Sequence, residues 1–154
     1  MLQRIQSVYL VLVIISCIIL NMFSLITADA VDGIYELSII KTSFIRQSIA
    51  SVLSFNFPLI ISNLFIIIIT LVTIFRYNNR KMQLKLINVI LIAVLIFIGI
   101  LIFDYRQLIS LCGSANASLK PIIIIVPIQL ILLLLAANGI KKDEALVRSA
   151  DRLR

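Results

Sequence analysis

Four long apolar runs, separated by short polar segments, dominate the chain. They cover residues 5–26, 57–75, 86–103 and 121–140, and none of them contains a charged side chain. At a rise of about 1.5 Å per residue, helices over these runs would be about 27–33 Å long, enough to cross the hydrocarbon core of a bilayer. The pattern therefore predicts an all-α transmembrane fold, a four-helix bundle that forms one integral membrane domain over residues 1–154.

The first run has a second interpretation, as a cleavable signal peptide. Arg4 would supply its positive start, and residues 28–30, which read Ala-Asp-Ala, resemble a cleavage site. The run is longer than the apolar core of about 7–15 residues that signal peptides use. We therefore expect the first helix to be a retained span.

The polar segments 27–56 and 104–120 are predicted to be external loops. Residues 33–41 alternate between apolar and polar side chains, which is typical of a β-strand, and residues 43–50 are its candidate partner. Residues 45–55 fit an amphipathic helix equally well, so a small β-hairpin and a helix remain alternatives. We favour a lid that only connects the spans over a cap that binds a partner, because most loops are connections.

Basic residues fix the expected orientation. The segment 76–85, a tight turn between spans two and three, has four basic residues and no acidic one. With the amino terminus inside, the inner segments contain ten basic residues against four in the outer loops. Basic residues of multi-pass proteins are enriched on the cytoplasmic side, so we expect both termini in the cytoplasm.

The tail, residues 141–154, is polar and has a helical pattern. Leu146, Ala150 and Leu153 would share one face of a helix, and Arg148 and Arg152 another. The tail would serve either as a docking helix for a partner or the membrane surface, or as a solvated flank that stops translocation. The candidate docking residues of the tail and the basic turn are Arg80, Lys81, Leu146, Arg148, Arg152 and Leu153.

Polar side chains inside the spans are expected to pack between helices. An amide in hydrocarbon is stabilised by a hydrogen bond to a neighbouring helix. The candidates for such interhelical contacts are Asn21, Asn63, Asn88 and Gln129. Pro127, six residues into the last run, predicts a kink, since proline has no N–H to donate.

Composition supports a membrane protein and excludes several function classes. Hydrophobic residues make up 62% of the chain, well above the roughly 45–50% of soluble domains, and the mean hydropathy is +1.16. The net charge of +7 comes from residues beside apolar spans, so lipid headgroups explain it better than nucleic acid. Two cysteines and no histidine leave no disulfide framework or metal site. No span has an ionisable group near its middle, so we expect no cofactor and no catalytic residue.

The chain resembles an uncharacterised bacterial family of small four-span membrane proteins in three places, which read MLQRIQSVYL, NRKMQLKL and IKKDEALVRSADRLR. This family is a domain of unknown function found mainly in Bacteroidota. The resemblance covers essentially the whole chain, with the tail as its most specific part. It implies an inner-membrane location and four helices, and it supplies no activity. A four-span fold with an outer sheet, of the claudin-like kind, is an alternative architecture, although the signature residues of that family are absent.

Two functions follow from these observations as hypotheses. The first is a non-enzymatic accessory or scaffold subunit of an inner-membrane complex, docking through the basic tail and turn. The second is a small-molecule or lipid channel or carrier formed by an oligomer, lined by Asn21, Asn63, Asn88 and Gln129.

Overall fold

A computed structural model of the chain describes residues 3–30, 33–46, 49–76, 79–112 and 117–152. The order of elements interleaves long helices with two groups of strands. The helices are α1 (Gln3–Met22), α2 (Phe57–Phe75), α3 (Arg80–Cys112) and α4 (Ile125–Arg152). The strands are β1 (Ser24–Ala30), β2 (Gly33–Ser38), β3 (Lys41–Arg46), β4 (Ile49–Phe55) and β5 (Ala117–Leu119).

The four helices pack in a ring, each against its neighbours in sequence, with α4 closing the ring against α1. Each helix packs one face, made of buried side chains, into the interior of the ring. In α1 the buried residues Leu10, Val13, Cys17 and Leu20 recur at three- and four-residue intervals, as a helical period requires. The elements β1 to β4 join the end of α1 to the start of α2, and β5 joins α3 to α4. Successive helices therefore run in opposite directions, which gives a sheet end and, opposite it, a basic end.

The outward faces of the helices are also apolar. In α2 the exposed side chains include Ile61, Leu64, Phe65 and Ile68. A helix that is apolar all round is stable either inside a large protein or in lipid. Over the described residues, three helices are long and apolar enough to cross a membrane, over residues 57–75, 80–110 and 121–145, and a shorter apolar helix covers residues 6–22.

The strands form one antiparallel sheet in the order β4-β3-β2-β1-β5. The first four strands form a meander. The fifth comes from the other loop and pairs with β1, placing Ala28 opposite Ala117 and Ile26 opposite Leu119. Buried side chains of β1 and β2, among them Leu25 and Leu37, belong to the same core as the helices. The sheet therefore caps the ring of helices.

The predicted all-α four-helix bundle is wrong as a fold class, because the molecule is mixed α/β, with four helices and a five-stranded sheet. The apolar run 5–26 is not helical throughout: α1 ends at Met22 and Ser24 begins β1. In the region left open between hairpin and helix, the described residues 33–38, 41–46 and 49–55 form three strands. The prediction failed because a buried strand and a buried helix can have the same apolar composition. Only pairing with a distant strand, which composition does not reveal, decides between them. The outer-sheet alternative is closer to the observed architecture.

Asn56 links the sheet to α2. Its side-chain nitrogen donates to the Ser38 carbonyl oxygen at 2.8 Å, and its oxygen accepts from the Thr42 hydroxyl at 3.1 Å. Its backbone N–H donates to the Ile40 carbonyl at 3.1 Å. One amide thus holds the turn between β2 and β3 against the start of a helix.

Replacing Asn56 with alanine is expected to lower the free energy of unfolding by about 1–2 kcal/mol, since two partly buried hydrogen bonds are lost. Denaturant titration in detergent micelles, followed by circular dichroism, measures the change. Ser51→Ala is the matched control, because the exposed Ser51 hydroxyl donates one hydrogen bond, to the Phe44 carbonyl of the neighbouring strand, and within the described residues donates none to a helix. If both variants lost the same free energy of unfolding, Asn56 would not be a residue that joins the sheet to α2.

The start of the last helix is built around prolines. Residues Pro121–Ile124 form a 3-10 turn, and α4 begins only at Ile125. The missing N–H of Pro127 therefore falls in the first turn of the α-helix, where few N–H groups have helical partners.

Candidate functional site

Side chains from three helices meet at the basic end, around Asp143 of α4. The side-chain amide of Gln6 in α1 donates to a carboxylate oxygen of Asp143 at 2.5 Å. The guanidinium of Arg80 in α3 donates to the backbone carbonyl of Asp143 at 2.8 Å. Gln6 and Asp143 are each 7% exposed. We call Gln6, Arg80 and Asp143 the basic-end cluster.

A second contact at this end joins α3 to α2. The Gln83 amide donates to the Thr73 carbonyl oxygen at 3.0 Å, and both residues are buried. Asn79 begins α3 as an N-cap, with its side-chain oxygen accepting from the backbone N–H of Met82 at 3.2 Å. All four helices are therefore joined by polar contacts at the basic end.

Gly139 makes room for the basic-end cluster. A Cβ at this position would lie 3.0 Å from Cγ of Gln6, whereas a Cβ at Gly99 in α3 would meet nothing within 4 Å. The two glycines thus differ in surroundings although both lie within helices.

Gly99→Ala is expected to stabilise the protein by up to about 1 kcal/mol, because alanine favours a helix over glycine. Gly139→Ala is expected to bring no such gain, since the new methyl group displaces Gln6, and Gly139→Leu is expected to destabilise by about 1–2 kcal/mol. Unfolding midpoints of the three variants in micelles measure the difference. A gain at Gly139 equal to that at Gly99 would contradict the contact.

The residues predicted to dock a partner fall into different settings. Arg80 is half-buried in the basic-end cluster, whereas Lys81 beside it is exposed. Residues 146, 148 and 152 belong to α4, which continues to Arg152, but their side chains lie outside the described part of the structure, as does Leu153 entirely. Lys141 and Lys142 are exposed on the same helix.

The four polar residues predicted to pack between helices do not come together. Gln129 is 1% exposed and donates to the Ser16 hydroxyl at 2.9 Å and to Sγ of Cys17 at 3.3 Å, so it joins α4 to α1. The Asn21 amide donates to the Cys17 carbonyl within its own helix. Asn63 is 3% exposed with its side-chain oxygen unpartnered, and Asn88 is exposed. They therefore do not form one polar lining.

At the other end, a polar contact ties the sheet to Lys120, which lies between β5 and the 3-10 turn that leads into α4. The ammonium group of Lys120 lies 3.1 Å from the carboxylate of Glu36 and also donates to the Ser24 hydroxyl. The Lys120 backbone N–H donates to the Leu25 carbonyl at 2.9 Å. The ion pair is about one-third exposed, so its contribution is at most about 1 kcal/mol.

An apolar groove opens beside this contact, between α3 and α4. Ile98, Ile102 and Tyr105 form one wall, and Ile123 and Pro127 the other. Ile26 of β1 and Leu119 of β5 lie at its sheet end, together with Arg106. The groove has a volume of about 590 Å³. Its lining favours an apolar ligand and offers one cationic group.

Ligands for a metal ion do not cluster in the described ranges, where no group of three or more His, Cys, Asp or Glu side chains is close enough to hold one.

A family profile described as "Domain of unknown function (DUF4293)" matches residues 2–153. The chain belongs to the DUF4293 family. No curated protein and no solved structure matches it significantly. The match confirms the coarser part of the resemblance, a domain of unknown function that covers nearly the whole sequence.

In this DUF4293 protein, sequence reasoning missed Gln6, Gln83 and Asp143, as well as the groove. Gln6 and Asp143 are 137 positions apart, so no local pattern links them. One signal was available: each is a polar residue at the edge of an apolar run, where a neighbouring helix end is its nearest partner. The groove could not be inferred in this way, because the sequence of its lining residues does not differ from that of other apolar spans.

Proposed function

We propose that this DUF4293 protein is a non-enzymatic integral protein of the bacterial inner membrane. It crosses the bilayer four times, with both termini and the basic end in the cytoplasm and the sheet outside. It acts as an accessory or scaffold subunit, docking onto a larger membrane complex through the basic end and the tail. The distribution of basic residues and the apolar outer faces of the helices support the membrane placement.

One observation carries the docking proposal: α4 does not stop where the bundle stops. It meets α1 and α3 at Asp143 and remains helical to Arg152, about 14 Å further on. A stop-transfer flank needs only charge, whereas this segment is an ordered helix. It carries Lys141, Lys142 and two arginines at positions four apart, 148 and 152.

Affinity capture from native membranes tests the docking proposal. The full-length protein is expected to recover a defined membrane partner, and Arg148→Gln/Arg152→Gln to lower that recovery about tenfold, the loss of roughly one charge-assisted contact. Lys41→Gln/Arg46→Gln, which removes the same charge at the sheet end, is the matched control and should recover the partner fully. Recovery of the protein alone, or equal recovery by both double variants, would overturn docking through the tail.

The topology has its own test. In a background where Cys17 and Cys112 are serine, Ser149→Cys is expected to react with a membrane-impermeant maleimide only after permeabilisation of spheroplasts. Ser51→Cys, on the exposed strand β4, is expected to react in intact spheroplasts. The opposite pattern would invert the orientation and place the docking end outside the cell.

The channel or carrier hypothesis receives less support. It required Asn21, Asn63, Asn88 and Gln129 to line one path, and they lie in separate settings, with Gln129 bonded to α1 and Asn21 to its own helix.

A further inference from the structure

We propose that the groove between α3 and α4 holds a membrane phospholipid, with one acyl chain between the helices and the phosphate at Arg106. This inference rests on the membrane placement proposed above but not on docking, which concerns the opposite end of the molecule. It assigns a ligand of stated chemistry to a site of about 590 Å³. That volume lies within the range of about 300–1,000 Å³ that ligand sites occupy.

The lining selects a hydrocarbon chain. The α3 wall presents Ile98, Ile102 and Tyr105 at helical intervals, and the opposite wall presents Ile123 of the 3-10 turn and Pro127 of α4. Both helices belong to segments that are apolar enough to cross a membrane. A gap between them would leave the lining side chains without van der Waals partners on one side. An acyl chain from the adjacent leaflet restores those contacts without burying a polar group.

The end of the groove selects a phosphate. Arg106 follows Asp104 and Tyr105 at the point where α3 leaves its apolar run, the level of the headgroups. Its side chain is exposed, and within the described residues it makes no hydrogen bond or ion pair. Asp104 lines a different cleft, together with Asn56 and Gln107, so its carboxylate does not neutralise Arg106 across the groove. A planar guanidinium binds phosphate oxygens in a bidentate manner.

The sheet closes the groove at the top. Ile26 and Leu119 lie opposite each other where β1 pairs with β5, and both line the groove. A lipid in this position is therefore covered on its headgroup side by the paired strands β1 and β5. We expect this cover to slow its exchange with the lipids of the surrounding bilayer.

Native mass spectrometry of the full-length protein released from micelles tests the acyl-chain half of the proposal. The wild-type protein is expected to retain one phospholipid. Ile102→Trp fills the groove and is expected to lower the retained fraction about tenfold, the equivalent of losing a buried apolar side chain's contacts. Leu95→Trp is the matched control. Leu95 and Ile102 lie on the same helix and are similarly exposed, at 58% and 54%, but of these two residues only Ile102 lines the groove.

A second pair of variants tests the phosphate half. Arg106→Gln is expected to lower retention of added phosphatidylglycerol about tenfold, because a charge-assisted hydrogen bond to the phosphate is lost. Retention of diacylglycerol, which has no phosphate, should stay unchanged. Arg46→Gln, which removes an exposed arginine on β3, is the control and should change neither. Unfolding midpoints of all four variants verify that each is folded, and a variant that does not fold is replaced by Ile102→Phe or Arg106→Met, which fill the groove or remove the charge with a smaller change of shape.

Three outcomes would overturn the proposal. The first is a wild-type protein that keeps no lipid, and the second is equal loss in Ile102→Trp and Leu95→Trp. The third is a lipid-free dimer that Ile102→Trp disrupts, which would make a second copy the occupant of the groove. None of these outcomes affects partner capture by the tail, so the lipid site and the docking proposal fail separately.

Discussion

Replacing Gly33 with alanine is expected to lower the free energy of unfolding by about 3–5 kcal/mol, the largest effect of a single methyl group in this protein. Gly33 begins β2 with φ at +156°, a region that residues with a side chain rarely adopt. A Cβ there would lie closer than 3.0 Å to the backbone carbonyl oxygen of Ile45 and to the ring of Phe44. The carbonyl cannot move aside, because Ile34 and Ile45 are partners in the β2–β3 ladder.

Thermal unfolding in micelles, followed by far-UV circular dichroism, measures this effect as a lowering of the midpoint by roughly 10 °C. Gly99→Ala adds the same methyl group where there is open space and serves as the control. Equal midpoints for Gly33→Ala and the wild type would mean that β2 and β3 are not paired next to Gly33.

The second large effect is expected at Gln6. Gln6→Leu keeps the size of the side chain and removes the donor to Asp143, which leaves a carboxylate 7% exposed without its hydrogen bond. A hydrogen bond to a charged group contributes about 1.5–3 kcal/mol, so a loss of about 2–3 kcal/mol is expected. Denaturant titration of the variant in micelles gives the value.

A double-mutant cycle separates this contact from a general loss of packing. In Gln6→Leu/Asp143→Leu both polar partners are gone, and replacement of both by apolar groups is close to neutral. The double variant is therefore expected to be more stable than Gln6→Leu, while the Arg80 bond survives because it uses the backbone carbonyl of Asp143. Additive losses would show that Gln6 and Asp143 do not interact.

The helices were largely predictable because a helix that is apolar on all faces is recognisable from composition along its whole length. The runs 57–75 and 86–103 fall within α2 and α3, since both are almost entirely apolar and contain no charged side chain. The turn between α2 and α3 is shorter than the predicted segment 76–85, because Asn79 caps α3 and the helix begins at Arg80. Arg80 therefore lies in the first turn of α3, where its guanidinium donates to the Asp143 carbonyl. A cap is local chemistry, and it could have been inferred from Asn79.

The sheet was not predictable in the same way. The pairing at one edge of the sheet joins β1 to β5, whose residues Thr27 and Ser118 are 91 positions apart and share a hydroxyl contact of 2.9 Å. β5 has only three residues, too few for an alternating pattern to stand out. The candidate site shares this difficulty, since each contact of the basic-end cluster links residues that lie far apart in the sequence.

The pairing of β1 with β5 has a consequence for the order of assembly during synthesis. When the ribosome has produced the first hundred residues or so, β1 already has β2 on one side, but its other edge has no strand to bond with. An open edge is a site for misassociation between nascent chains. Only the emergence of residues 117–119 closes it, immediately before the last helix is synthesised. Packing of α4 against the other helices and completion of the sheet are therefore expected to be a single late event in the maturation of the protein.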